Sequence, residues 1–186
     1  MKHLIHMLAI LIILCAAHPL AALGNVTISV SGNVLLPADS DYKDVYGDTA
    51  FFPEFKLALK VSNGFYIWGG YGMVSQTGET ILLGLEAKSK QHFVSLGGGY
   101  NGSLTGSLEF FIDAGAVFTS FSEETMGAKL SDDAIGFRVD GSLLVRLGAG
   151  LLGGVNVGYV YAADTIEGFS IKIGGFKGGL TLAIRL

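Results

Sequence analysis

The stretch Ile135-Gly136-Phe137-Arg138-Val139-Asp140-Gly141-Ser142-Leu143-Leu144-Val145-Arg146-Leu147 decides the fold. Ile135, Phe137, Val139, Leu143, Val145 and Leu147 are apolar, while Arg138, Asp140, Ser142 and Arg146 between them are polar. Side chains of a β-strand point alternately to its two faces, so one face of this strand is apolar and the other carries charge. A helix would scatter the same residues around its axis.

The alternation recurs along the chain. Leu108, Phe110, Ile112, Ala114, Ala116 and Phe118 alternate with Glu109, Phe111, Asp113 and Gly115. Phe55, Leu57, Leu59 and Val61 alternate with Glu54, Lys56, Ala58, Lys60 and Ser62. The segments from Val26, Phe65, Val94, Val155 and Leu180 read the same way. One face is apolar throughout; the other mixes Gly, small polar residues and charges.

A closed barrel could turn the apolar face inward, as a soluble one does, or outward toward lipid. Composition decides. The 186 residues are 50% hydrophobic and 15% charged, with 28 Gly, and mean hydropathy is +0.52. Roughly 25% charge is usual in soluble domains, whose exteriors carry dense Lys and Glu. Disorder is excluded by the hydrophobicity. The chain therefore reads as an all-β, antiparallel, up-and-down transmembrane barrel over 25–186.

Residues 1–24 read as a signal peptide: Lys2, an apolar run Leu8–Ala17, a His18-Pro19 break, then Ala22-Leu23-Gly24 for cleavage. The implied location is the bacterial outer membrane. Cys15 and three of the four His fall in this leader. The remaining 11 basic and 16 acidic residues give a net charge of −5, which argues against nucleic acid as a partner.

Connections set the strand number. Asn63-Gly64, Asn101–Gly106 and Gly148–Gly150 are short; Pro37–Phe52, Ser120–Asp133 and Ala163–Phe176 are long or polar. Eight strands result if Phe65–Ser89 is one protruding strand with a loop near Lys90. Ten result if Gln76–Glu79 is a turn and Ile171–Ile173 a separate strand.

Asp44-Val45-Tyr46-Gly47, Ile67-Trp68-Gly69-Gly70-Tyr71, Ile173-Gly174-Gly175 and the last strand, with Gly179, Leu182 and Ile184, carry a resemblance. The chain resembles the small eight-stranded outer-membrane β-barrel proteins of Gram-negative bacteria, of the outer-membrane protein A and W type. Members usually end in an aromatic residue read by the barrel-assembly machinery; here the last residue is Leu186. The resemblance implies outer-membrane lipids, lipopolysaccharide and that machinery as partners.

The inner face is expected to hold Lys56, Lys60, Lys88, Arg138, Arg146, Lys177 and Arg185 with Glu54, Glu86, Glu109, Asp113 and Asp140, as a salt-bridged plug. A narrow ion or water path is the other reading. The external loops are acidic, with Asp39, Asp41, Asp44, Asp48, Glu123, Glu124, Asp132 and Asp133, and divalent cations are candidate ligands. His92, expected at a strand end with Val94 on its face and Ser95 on the other, offers no Ser-His-acid set. No cofactor is implied. Phe51, Phe52, Phe65, Tyr100, Phe118, Tyr159 and Tyr161 are candidates for interfacial girdles. The expected function is non-catalytic, a structural or surface-interaction role through the acidic loops. A small-solute channel comes second and a lipid-modifying enzyme third.

Overall fold

A computed structural model describes residues 26–80, 83–166 and 169–186. The leader and its cleavage site lie outside the described residues. Eight strands form one closed barrel: β1 (Val26–Pro37), β2 (Ala50–Lys60), β3 (Phe65–Glu79), β4 (Glu86–Ser103), β5 (Leu108–Thr125), β6 (Ala128–Gly148), β7 (Leu151–Ile166) and β8 (Phe169–Arg185). Each strand pairs antiparallel with the next, and β8 closes on β1 through Thr27 opposite Arg185 and Val34 opposite Gly178. No strand edge is left over, so every strand has partners for its backbone groups on both sides.

The alternation has the expected direction. Val30, Ile67, Leu96, Ile112, Val139, Val157 and Leu180 face outward, each about half exposed or more. Such a belt exceeds what a soluble monomer leaves bare and matches the lipid-facing band of a membrane barrel. Its edges carry ring clusters: Phe65, Tyr100 and Phe110 at one end, and Phe137, Tyr159, Tyr161 and Phe176 at the other. Phe52 is a correction, because its ring is wholly buried inside.

The two ends differ. At one, the turns are short, with Gly64 (φ 80°) and Gly150 (φ 83°) supplying the left-handed residue. At the other, β3–β4 and β5–β6 rise as tall hairpins beyond the apolar band, where β4 bears Lys88 and Lys90 outward. The connection expected near Lys90 instead lies between Glu79 and Glu86. Thr80 closes it, donating its N–H to Leu85 and accepting from Gly84 and, on its hydroxyl, from Leu85. The Ile81-Leu83-Leu85 alternation imitates a strand, but Leu83 lies exposed in the turn, and Ile81 is outside the described residues.

This placement moves Glu86 and Lys88 into β4, whose even residues face outward. They pair with each other on the exterior, not in the lumen. Ser120–Asp133 is likewise no loop: β5 and β6 run up to the two-residue turn Met126-Gly127 (φ 54° and 79°). Residues 169–176 belong to β8. Gln76–Glu79 lies within β3, and Ile171–Ile173 within β8, which excludes ten strands.

Candidate functional site: the filled lumen and its helical cap

The 38–49 connection is the one described long loop, and it carries α1 (Ser40–Tyr46). Asp39 caps it, accepting from the N–H groups of Asp41 (3.0 Å) and Tyr42 (3.1 Å), and Gly47 (φ 90°) ends it. β1 and β2 are the shortest strands, and from that low wall α1 folds over the mouth onto the tall one. Tyr42 donates to Gln76 Oε1 (2.9 Å), and Gln76 Nε2 donates to the carbonyls of Tyr46 (3.1 Å) and Thr49 (2.9 Å). The Lys172 N–H donates to Asp39 (3.0 Å). Gly78 lets the helix touch the strand, since a Cβ there would stand 1.9 Å from the Val45 carbonyl oxygen. Burial pushes the Tyr42 hydroxyl up to about 12. It also raises the Glu123 carboxyl, on the hairpin extension, with Asp39 adding to the effect.

Beneath the cap the lumen is layered. The upper layer is apolar: Phe52, Phe93, Val117, Val160, Leu35 and Val74 are each no more than 2% exposed. The Phe52 and Phe93 rings meet edge-on at 5.1 Å. Sequence reasoning missed this layer. Its signal is non-local, because an inward ring is matched by an inward Gly on the neighbouring strand. A Cβ on Gly72 would lie 2.6 Å from the Phe52 ring, and one on Gly97 2.8 Å from Trp68.

The middle layer is charged. Arg138 reaches Glu54 (2.8 Å) and Asp140 (2.5 Å), and its Nη1 also donates to Ser95 (3.3 Å). Lys177 pairs with Glu54 and with Asp140 (3.0 Å). Lys56 and the Tyr66 hydroxyl both donate to Asp113. The Lys56 ammonium and the Arg138 guanidinium stand over the Trp68 ring, 5.8 and 5.1 Å from its centre. Three cations meet three carboxylates, so the layer is neutral, as buried charge requires.

The lowest layer holds Tyr66, Trp68, Phe111, Leu144, Leu152 and Ala183. Below them Arg185 makes a two-pronged bond to Glu109 (3.1 and 2.6 Å), which Arg146 also reaches (2.6 Å). The expected network thus divides in two: Lys56, Asp113, Arg138 and Asp140 join Glu54 and Lys177 in the middle, while Glu109, Arg146 and Arg185 sit at the turn end. Lys60 lies exposed at that end and makes no ion pair among the described residues.

The acidic set is not gathered. Asp39 caps α1, Asp41 and Asp44 lie on it and Asp48 follows it; Glu123 faces inward on β5 and Glu124 outward; Asp132 and Asp133 lie on β6. Among the described residues no three His, Cys, Asp or Glu side chains come together as a metal set.

His92 is not at a strand end. It faces outward within β4, its Nδ1 bonded to the Tyr71 hydroxyl (2.7 Å). Ser120 and Asp133 continue its row across β5 and β6, but Ser120 makes no hydrogen bond to His92 among the described residues.

This closed eight-stranded sheet can be set beside known structures. The fold is that of the small outer-membrane barrels. Outer membrane protein OprG from Pseudomonas aeruginosa superposes with a TM-score of 0.65 at 14% identity, covering 88% of this chain and 97% of that one. Neisserial surface protein A gives 0.61 at 9% identity, covering 87% and 96%. The N-terminal β-barrel domain of Pseudomonas aeruginosa OprF gives 0.58 at 12%, covering 88% and 98%. No protein-family model and no curated protein matches the sequence.

Proposed function

We propose that the chain is a non-catalytic barrel of the bacterial outer membrane, with its short turns in the periplasm and its hairpins and α1 outside, acting through that outer surface. One observation carries the reading: the lumen is filled, by an apolar layer, a neutral charge layer and a helical cap, while the strands most extended beyond the lipid belt are on the hairpin side. Short turns on the periplasmic side and longer external segments are the rule for such barrels. The acidic outer segments favour partners that present cations, including divalent ions bridging to lipopolysaccharide phosphates.

Two measurements test this. Cys15, the chain's single cysteine, falls in the expected leader, so in the processed barrel a Met126→Cys variant gives a defined label site. A membrane-impermeant maleimide on intact cells is expected to modify Cys at 126 and to spare Cys introduced at Ser103 in the opposite end. The reverse pattern overturns the orientation. In planar bilayers the wild-type barrel is expected to give no steady conductance, and a stable open current overturns the non-conducting reading.

A further inference from the structure

Positive charge is balanced in the middle of the lumen and unbalanced at its turn-side mouth. Among the described residues there, Arg146 and Arg185 share the buried carboxylate of Glu109, and Lys60 makes no ion pair. Among the described side chains at this mouth, three cations stand against one carboxylate. Lys60, Arg185, Asn101 and Tyr66 line a common cavity of about 100 Å³, which opens at this end. Arg185 is fixed by its two bonds to Glu109, and a guanidinium has five N–H donors, so donors remain beyond those used. A positioned guanidinium on β8, an exposed ammonium on β2 and an amide side chain on β4, facing one cavity from different sides of the barrel, form the donor set that a tetrahedral oxyanion takes.

We propose that this mouth is an anion seat for a phosphate group, held between Lys60 and Arg185 with Asn101 facing them across the cavity. The phosphate is supplied free in solution or by the headgroup of a phospholipid in the adjoining leaflet. The seat goes beyond the surface role above and does not depend on the conductance of the barrel.

The test uses the full barrel refolded in maltoside micelles, which carry no phosphate, followed by backbone amide NMR. Inorganic phosphate is added against chloride at matched ionic strength, and separate micelles are doped with phosphatidylglycerol. The expected result is saturable shifts at Lys60, Asn101 and Arg185, none at Lys88 and Lys90, and a weakening of about three- to fivefold in Lys60→Gln, as one exposed, solvent-screened charge contact implies. Lys60 is exposed and unpaired, so that variant keeps its fold, shown by heat-modifiable migration on a gel. Shifts with inorganic phosphate identify the free ion; shifts only in doped micelles identify the lipid headgroup. Absence of saturation in wild type with either probe, equal shifts from chloride, or an unchanged midpoint in Lys60→Gln overturns the proposal.

Discussion

Single atoms decide which substitutions this barrel tolerates. A Cβ on Gly97 would stand 2.1 Å from the Ala114 carbonyl oxygen as well as against Trp68, whereas one on the outward Gly141 of β6 meets nothing within 4 Å. Gly97→Ala is therefore expected to lose heat-modifiable migration and Gly141→Ala to keep it, although the two changes are chemically identical. Arg138 presents the same contrast in charge. It is 5% exposed and neutralises Glu54 and Asp140, and Arg138→Ala leaves the two carboxylates to share Lys177 as their remaining cation, with Asn33 still donating to Glu54. Removing one partner of a buried pair costs about 3–5 kcal/mol. The urea midpoint of Arg138→Ala should fall accordingly, while its bilayer trace should stay silent, because the phenyl layer above is untouched.

Among the elements, α1 is the one held by polar contacts at a mouth and not by the ladder, and Glu123 sets its acid response. Burial and Asp39 raise the Glu123 carboxyl above its ordinary 4.5. A carboxyl raised in the docked state opposes docking while ionised. That penalty is fully present above the raised value and vanishes below 4.5, so docking strengthens as pH falls through this window. Amide exchange across Ser40–Tyr46, expressed as opening free energy, should show slower opening at the acid end in wild type. In Glu123→Gln it should be slow and flat across the same window; an equal pH response in both assigns the effect to another group.

The elements also show where sequence was readable. The outward half of each strand was legible because lipid accepts only apolar side chains, which imposes a strict period of two. Above the belt that constraint ends, and Ser120, Ser122 and Glu124 on β5 look like loop residues although their backbone continues the ladder. The turn at 80–85 was hidden for the opposite reason, since its apolar residues keep a strand's period. The charged half of the site was legible from parity alone: Lys56, Arg138, Asp140 and Lys177 point inward as read. Its division into two groups was not, because that depends on height in the barrel, fixed by the stagger between strands. Phe52, Phe93 and the Gly residues that accommodate inward rings were invisible for the same reason.

For the whole molecule, the proposed non-conducting state is expected to rest on the apolar layer more than on the ion pairs. Below that layer a cavity of about 40 Å³ reaches the charge network and shares Thr27, Ala58, Tyr66 and Phe111 with the mouth cavity as walls. Phe52→Ala/Phe93→Ala removes the two rings that meet over it. The double variant, with α1 also freed by Gln76→Ala, is expected to give measurable conductance where wild type is expected to give none. A silent triple variant that still migrates as a folded barrel would place the block in the charge layer instead.

The seam between β1 and β8 has a kinetic consequence. It joins Thr27 to Arg185, residues at opposite ends of the described chain, and no shorter-range contact can substitute for it. Contacts of such sequence separation form slowly. Until they form, two strand edges confront hydrocarbon with unpaired amides and carbonyls, a state lipid does not tolerate. Entry into the bilayer and closure of the ring must then proceed as one event, and a chain stalled after seven strands has no stable place in the membrane to wait.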